Sequence, residues 1–104
     1  MNKKVEHAIA KQKFDVLKKL ADGRDEALKI EAIEAMGKIS GEESFNYLTA
    51  SLRNPSASIR GAAAVGLGAL KNPKAGSFLS HQMGKETDET ARKKMESAMS
   101  NSHE

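Results

Sequence analysis

The chain has no cysteine. Without thiols there are no disulfide staples, no thiolate metal sites and no cysteine nucleophile. Tryptophan is absent as well, and aromatic residues are limited to one Tyr and three Phe. No stretch approaches the roughly 18 apolar residues of a membrane-spanning helix, and Met1-Asn2-Lys3-Lys4 leads into a charged helical pattern rather than an apolar signal segment. Large apolar side chains are scarce, with eight Leu, five Ile, three Val and three Phe among 104 residues. So few would point to disorder at high net charge, but 17 basic and 14 acidic residues leave only +3. What the chain has in quantity is alanine, 15 copies, spaced with helical periodicity. These observations predict a single domain over residues 1–104 that is all-α, soluble and cytoplasmic.

Breakers fall at regular intervals, at Asp22-Gly23, Ser40-Gly41, Asn54-Pro55, Asn72-Pro73 and Gly84. Between them the spacing predicts about six helices, roughly 3–21, 24–39, 42–53, 56–71, 74–84 and 87–100. In the second, Leu28, Ala32, Ala35, Met36 and Ile39 form one stripe on a helix of 3.6-residue period. Nothing alternates with period two for long enough to make a strand.

Internal repetition is the strongest signal. Leu28, Lys29, Ala32, Met36, Gly37 and Ile39 recur 31 residues on as Ile59, Arg60, Ala63, Leu67, Gly68 and Leu70. Tyr47, Leu48 and Leu52 recur at the same offset as Phe78, Leu79 and Met83, and Phe45 and Leu48 step back onto Phe14 and Leu17. Near the carboxyl end Arg60, Ala63 and Leu67 correspond at offset 32 to Arg92, Met95 and Met99. The unit is a helical hairpin, present about two and a half times, with the first unit lacking its first helix. A hairpin of two short amphipathic helices cannot bury its apolar face alone, so successive hairpins are expected to stack. Ala62, Ala63, Ala64, Gly66, Gly68 and Ala69 crowd one helix with small side chains. Each Gly there costs about 1 kcal/mol of helix propensity, a loss explained by backbones that must approach closely. Ile59, Leu67 and Leu70 are expected to pack on Leu48, Leu52, Leu79 and Met83.

The run from Asn54 through Leu70 (a turn with Asn-Pro, then an aliphatic residue, an Arg, alanines and Leu-Gly) resembles the HEAT-like repeat, in the short 31-residue form associated with phycobilin lyase subunits. Residues 12–100 fit in register. The resemblance implies an α-α superhelix acting as a scaffold or adaptor and not as an enzyme. It also brings a chromophore-handling helper into view, although no residue beyond the fold supports that role. Some such proteins are DNA glycosylases, but four aromatic residues are too few for a cleft that holds an extruded nucleotide.

Residues that could carry chemistry are sparse. His7, His81 and His103 are dispersed with no ligand partner at metal-binding spacing, and Gly66-Leu67-Gly68 lacks the strand and Lys-Ser/Thr of a phosphate loop. No Gly-x-Ser-x-Gly elbow is present. Neither a cofactor nor a metal is therefore expected. Lys29, Arg60 and Arg92 form a ladder at one position of each unit. They are expected to tie each helix to its preceding turn or neighbouring unit, for example Arg60 with Asp25 or Glu26 and Arg92 with Asp88 or Glu89.

The second helices are expected to line the inner, concave side. Counting outward from Leu48 and Leu52, and stepping by 31, the exposed ridge comprises Asp15, Lys18, Lys19, Asn46, Thr49, Arg53, Ser77, Ser80 and His81. It offers about 600–1,000 Å², enough for a peptide or one face of a protein. The expected partner is thus a protein or peptide. Nucleic acid is the alternative, through the lysine-rich amino-terminal segment, where residues 1–29 carry a net +3. Self-association through Met95 and Met99 is a further expectation if the last helix is left uncovered.

Overall fold

The computed structural model describes residues 1–102, so His103 lies outside the described residues. Within them the chain forms seven helices: α1 (Lys3–Ala10), α2 (Phe14–Ala21), α3 (Glu26–Ala35), α4 (Glu42–Ser51), α5 (Ala57–Leu70), α6 (Ala75–Met83) and α7 (Glu89–Ser102). A 3₁₀ turn, Met36–Lys38, closes α3. Side-chain oxygens cap the starts of α1, α3 and α7. Asn2 accepts from the Lys4 amide, Asp25 from Leu28 and Asp88 from Ala91, satisfying amide groups that a helix start leaves unbonded. Asn54 and Asn72 accept from the amides two residues on, at Ser56 and Lys74, which makes the two Asn-Pro turns.

The segment 3–21, expected as one helix, is two. It breaks at Gln12, whose φ of 53° is left-handed. The amides of Gln12 and Lys13 return to the carbonyls of Ile9 and Ala8. Such a position favours Gly or Asn, so Gln12 carries no local breaker signal. Tertiary bonds hold it instead: its Nε2 donates to the Ile9 and Lys38 carbonyls at 3.0 and 2.9 Å, and its Oε1 accepts from the Ser40 amide at 2.8 Å. The break places α1 as a shortened first helix. Val5 and Ala8, both fully buried, stand 31 residues before Met36 and Ile39, which stand 31 before Leu67 and Leu70. The described chain therefore holds three hairpins, α1/α2, α3/α4 and α5/α6, followed by α7. Gln12→Ala keeps the left-handed backbone and loses all three bonds. It is expected to destabilise by about 1–2 kcal/mol, with Gln12→Gly recovering part of that loss. Thermal melting by circular dichroism measures both, and an unchanged Gln12→Ala midpoint would show that the tether contributes nothing.

The helices form two layers. First helices pack on first helices, α3 on α5 and α5 on α7, while each second helix packs mainly on the first helix of the hairpin that follows, α2 on α3, α4 on α5 and α6 on α7. Leu17, Ile33, Met36, Leu48, Leu52, Leu67, Leu79 and Met95 are buried between the layers. Ile59 joins them, with Leu70 and Met83 half-buried against the core. The small residues work as expected: Gly37 lies against Gly66 so closely that a Cβ on Gly37 would sit 2.3 Å from the Gly66 carbonyl oxygen. The second helices stand further apart. Edge-to-face ring pairs span the gaps, Phe14 with Tyr47 at 6.1 Å and Phe45 with Phe78 at 5.8 Å.

At the carboxyl end, α7 turns its apolar stripe onto α5 and α6. Met95 is fully buried and Met99 half-buried. Met95 is thus core and presents no surface for self-association. The positions that on α5 are Gly61, Ala64 and Val65 are Lys93, Glu96 and Ser97 on α7, all exposed, the polar outer face that ends a stack of repeats.

Candidate partner-binding face

The outward positions of α2, α4 and α6 carry the ridge expected from the sequence. Asp15, Lys18, Lys19, Asn46, Arg53, Ser77, Ser80 and His81 are exposed and Thr49 is half-buried. Several of these groups are already engaged. Lys18 Nζ donates to Asp22 Oδ2 at 2.8 Å, and Tyr47 Oη donates to Asp22 Oδ1 at 2.7 Å. The bonds from Lys18 and Tyr47 hold the Asp22 carboxyl below the usual carboxylate range, while burial, helped by Asp22, pushes the Tyr47 phenol up. This chain of contacts latches α2 to α4. Thr49 and Ser77 spend their hydroxyls on the carbonyls of Asn46 and Lys74. Lys19, Arg53 and His81 enter no ion pair among the described residues.

One repeat later the latch is missing. Lys18, Asp22 and Tyr47 step by 31 onto Thr49, Arg53 and Phe78. A phenyl ring cannot donate and a guanidinium cannot accept, so no hydrogen bond or ion pair joins α4 to α6 among the described residues. The Phe45–Phe78 ring pair spans the gap between them in place of the latch, and Phe78 is 42% exposed. Two depressions mark the ends of that gap. The first, about 520 Å³, lies where α4 and α6 begin and is lined by Phe45, Asn46, Leu70, Pro73, Glu42 and Lys74 among others. The second, about 320 Å³, lies where they end, lined by Arg53, Arg60, Gln82, Lys85, Glu86 and Thr87 with the Asn54-Pro55 turn.

The floor of the second depression is an ion pair that ties the two turns together. Arg60 Nε and Nη2 donate to Glu86 Oε1 and Oε2 at 2.7 and 2.8 Å, and Nη1 donates to the Asn54 and Pro55 carbonyls. Glu86 also accepts from the Asp88 amide and from Gln82 Nε2. The Arg60 bonds outweigh burial and draw its carboxyl down to about 2. Arg60 therefore grips its preceding turn as expected, but its acid is Glu86 rather than Asp25 or Glu26. Asp25 is spent capping α3 and Asp88 capping α7. Arg92 correspondingly reaches Glu96, at 3.9 Å on an exposed face, instead of Asp88 or Glu89. Lys29 enters no ion pair among the described residues.

Of the nine expected ridge residues, Asn46 and Arg53 line the depressions. The sequence reading missed Phe78, Lys74, Gln82 and Lys85. Phe78 was legible as the counterpart of Tyr47, and the simultaneous replacement of Asp22 by Arg53 was the available sign that this groove is not latched. His7 is exposed on α1, as are Lys3, Lys4, Lys11 and Lys13 on and after it. No group of three or more His, Asp or Glu side chains that could hold a metal occurs among the described residues. None of their helices is long and apolar enough to cross a membrane.

A family model described as HEAT repeats matches residues 14–100. No curated protein and no solved structure matches the chain.

Proposed function

Because the chain belongs to the HEAT repeat family, we propose that it is a non-enzymatic interaction module holding a protein or peptide along the outer face of its second helices. HEAT repeats are generally protein-interaction scaffolds. One observation carries the choice of face: the α4–α6 groove has no interhelical polar bond among the described residues and leaves Phe78 42% exposed beside it. An exposed aromatic next to a concavity is a usual anchor for a partner. Arg53 and His81 supply uncommitted charge and polarity on the same two segments.

Affinity capture with the tagged chain tests this reading, run beside Phe78→Ser/Arg53→Glu and beside Lys93→Glu on α7 as the control. The expected result is a protein retained by the parent and by Lys93→Glu but lost from the double variant, with helicity unchanged in all three. Equal retention by the double variant would remove the second-helix face from consideration.

A further inference from the structure

The depression between the α4–α5 and α6–α7 turns is one-sided in its hydrogen-bonding chemistry. The amide and carboxylate acceptors that line it are engaged or closed off. Glu86, whose side chain is 0% exposed, takes two donors on each oxygen: Arg60 Nε and Gln82 Nε2 on Oε1, Arg60 Nη2 and the Asp88 amide on Oε2. Asn54 Oδ1 receives the Ser56 amide, and Gln82 Oε1 lies beneath the surface. The free groups are donors. A guanidinium has five N–H bonds, and the contacts of Arg60 to Glu86, Asn54 and Pro55 use at most four. At least one is left over, on a side chain 15% exposed in the lining. Arg53, Lys85 and Thr87 are exposed in the same lining, and their side chains enter no hydrogen bond or ion pair among the described residues. Arg60 and Glu86 cancel, so the lining carries a surplus of two positive charges.

We propose that this depression is a phosphate-monoester site, which takes a phosphorylated side chain of a protein partner between Arg53 and Lys85. This rests on the adaptor reading above and names what the partner carries at this end of the face. A phosphorylated side chain brings about −1.5 to −2 charge at neutral pH and three acceptor oxygens. It therefore matches both the surplus charge and a lining whose free groups donate. A carboxylate brings one charge and two oxygens and leaves a cation unmatched. A nucleic-acid strand brings one charge per phosphate and is held by cations repeated along its length, whereas a single Arg53 and Lys85 pair stands here. The Arg60–Glu86 pair has the supporting role. It ties the turn that bears Arg53 to the turn that bears Lys85, so both cations are in place before the ligand arrives.

Titration of the full chain, labelled with ¹⁵N, with N-acetyl-phosphoserine amide tests this by NMR. The expected result is a set of saturable shifts confined to the amides of residues 53–54 and 85–87 and to the Arg60 Nε–H. Affinity is expected to fall about tenfold or more in Arg53→Gln/Lys85→Gln and to stay unchanged in Lys93→Gln, with helicity equal in all three. Equal affinity in Arg53→Gln/Lys85→Gln would overturn the site. N-acetyl-glutamate amide binding as tightly as the phosphoserine probe would assign the cations to a carboxylate, and thymidylyl-thymidine, with its one phosphodiester, doing so would assign them to a nucleic-acid backbone. Either outcome overturns the proposal. An absence of saturable shifts with the phosphoserine probe overturns it too, and the adaptor reading then stands or falls separately, on whether the parent retains a protein that Phe78→Ser releases.

Discussion

Gly37→Ala is expected to lower the thermal midpoint by more than about 10 °C. Its added Cβ would lie 2.3 Å from the Gly66 carbonyl oxygen, 2.8 Å from Gly66 Cα and 2.9 Å from Ala69 Cβ. None of these can swing aside as the end of a flexible side chain could. The 3₁₀ turn after α3 and the middle of α5 must move apart, and Gly66 is pinned from its other side by Leu48, whose Cδ2 lies 2.8 Å from where a Cβ on Gly66 would stand. Overpacking of a core costs about 1–3 kcal/mol and more where backbone must shift, so about 3 kcal/mol or above is expected. In a domain of about 100 residues each kcal/mol moves the midpoint by about 4–8 °C. Gly76→Ala is the internal control. It adds a Cβ to α6 with nothing within 4 Å, and a gain of about 0.5 kcal/mol is expected from helix propensity. Equal midpoints for Gly37→Ala and the parent would mean that the two segments do not touch there.

Arg60→Ala is expected to be comparably damaging, by about 3–5 kcal/mol, because it strands a buried carboxylate. The Glu86 side chain is 0% exposed and that of Arg60 is 15% exposed. Removing both charges together, as Arg60→Met/Glu86→Leu, is expected to recover much of the loss. The difference between the double change and the sum of the singles measures the coupling, and strict additivity would sink the assignment. The pair also sets a pH dependence. Glu86 titrates at about 2 in the folded chain against an ordinary 4.5. Its folded value is depressed, so its contribution is fully present above about pH 4.5 and is lost as pH falls toward 2. About 3 kcal/mol is at stake over that window. In Glu86→Gln the acid limb of the stability curve should flatten by that amount, and an identical limb would place the proton uptake elsewhere.

Local chemistry explains what could be read without coordinates. The Asn54-Pro55 and Asn72-Pro73 turns are made by the Asn side chains themselves, and the 31-residue step between Leu28 and Ile59 is visible in any comparison of the chain with itself. Helix period, the crowded small residues of α5 and the outward direction of Asn46 follow from spacing along one helix. The unlatched groove was only half legible, because the change from Asp22 and Tyr47 to Arg53 and Phe78 is in the sequence while the latch it abolishes is a contact between helices.

The sequence by itself determined the class of fold and which faces of the helices are polar, since each depends on residues within a few positions of one another, and the stacking unit, since the chain repeats itself every 31 residues. Tertiary structure decided the rest. Gln12 breaks the first segment through bonds to Lys38 and Ser40, residues 26 and 28 positions away, so no local signal could announce a left-handed glutamine. Arg60 pairs with Glu86 across 26 positions, while the Asp25 carboxylate caps α3. Met95 is buried because α7 folds back onto α5 and α6, while Phe78, paired edge-to-face with Phe45, stays 42% exposed. Those outcomes turn on competition between distant groups for the same partner and the same space, which only the assembled stack resolves.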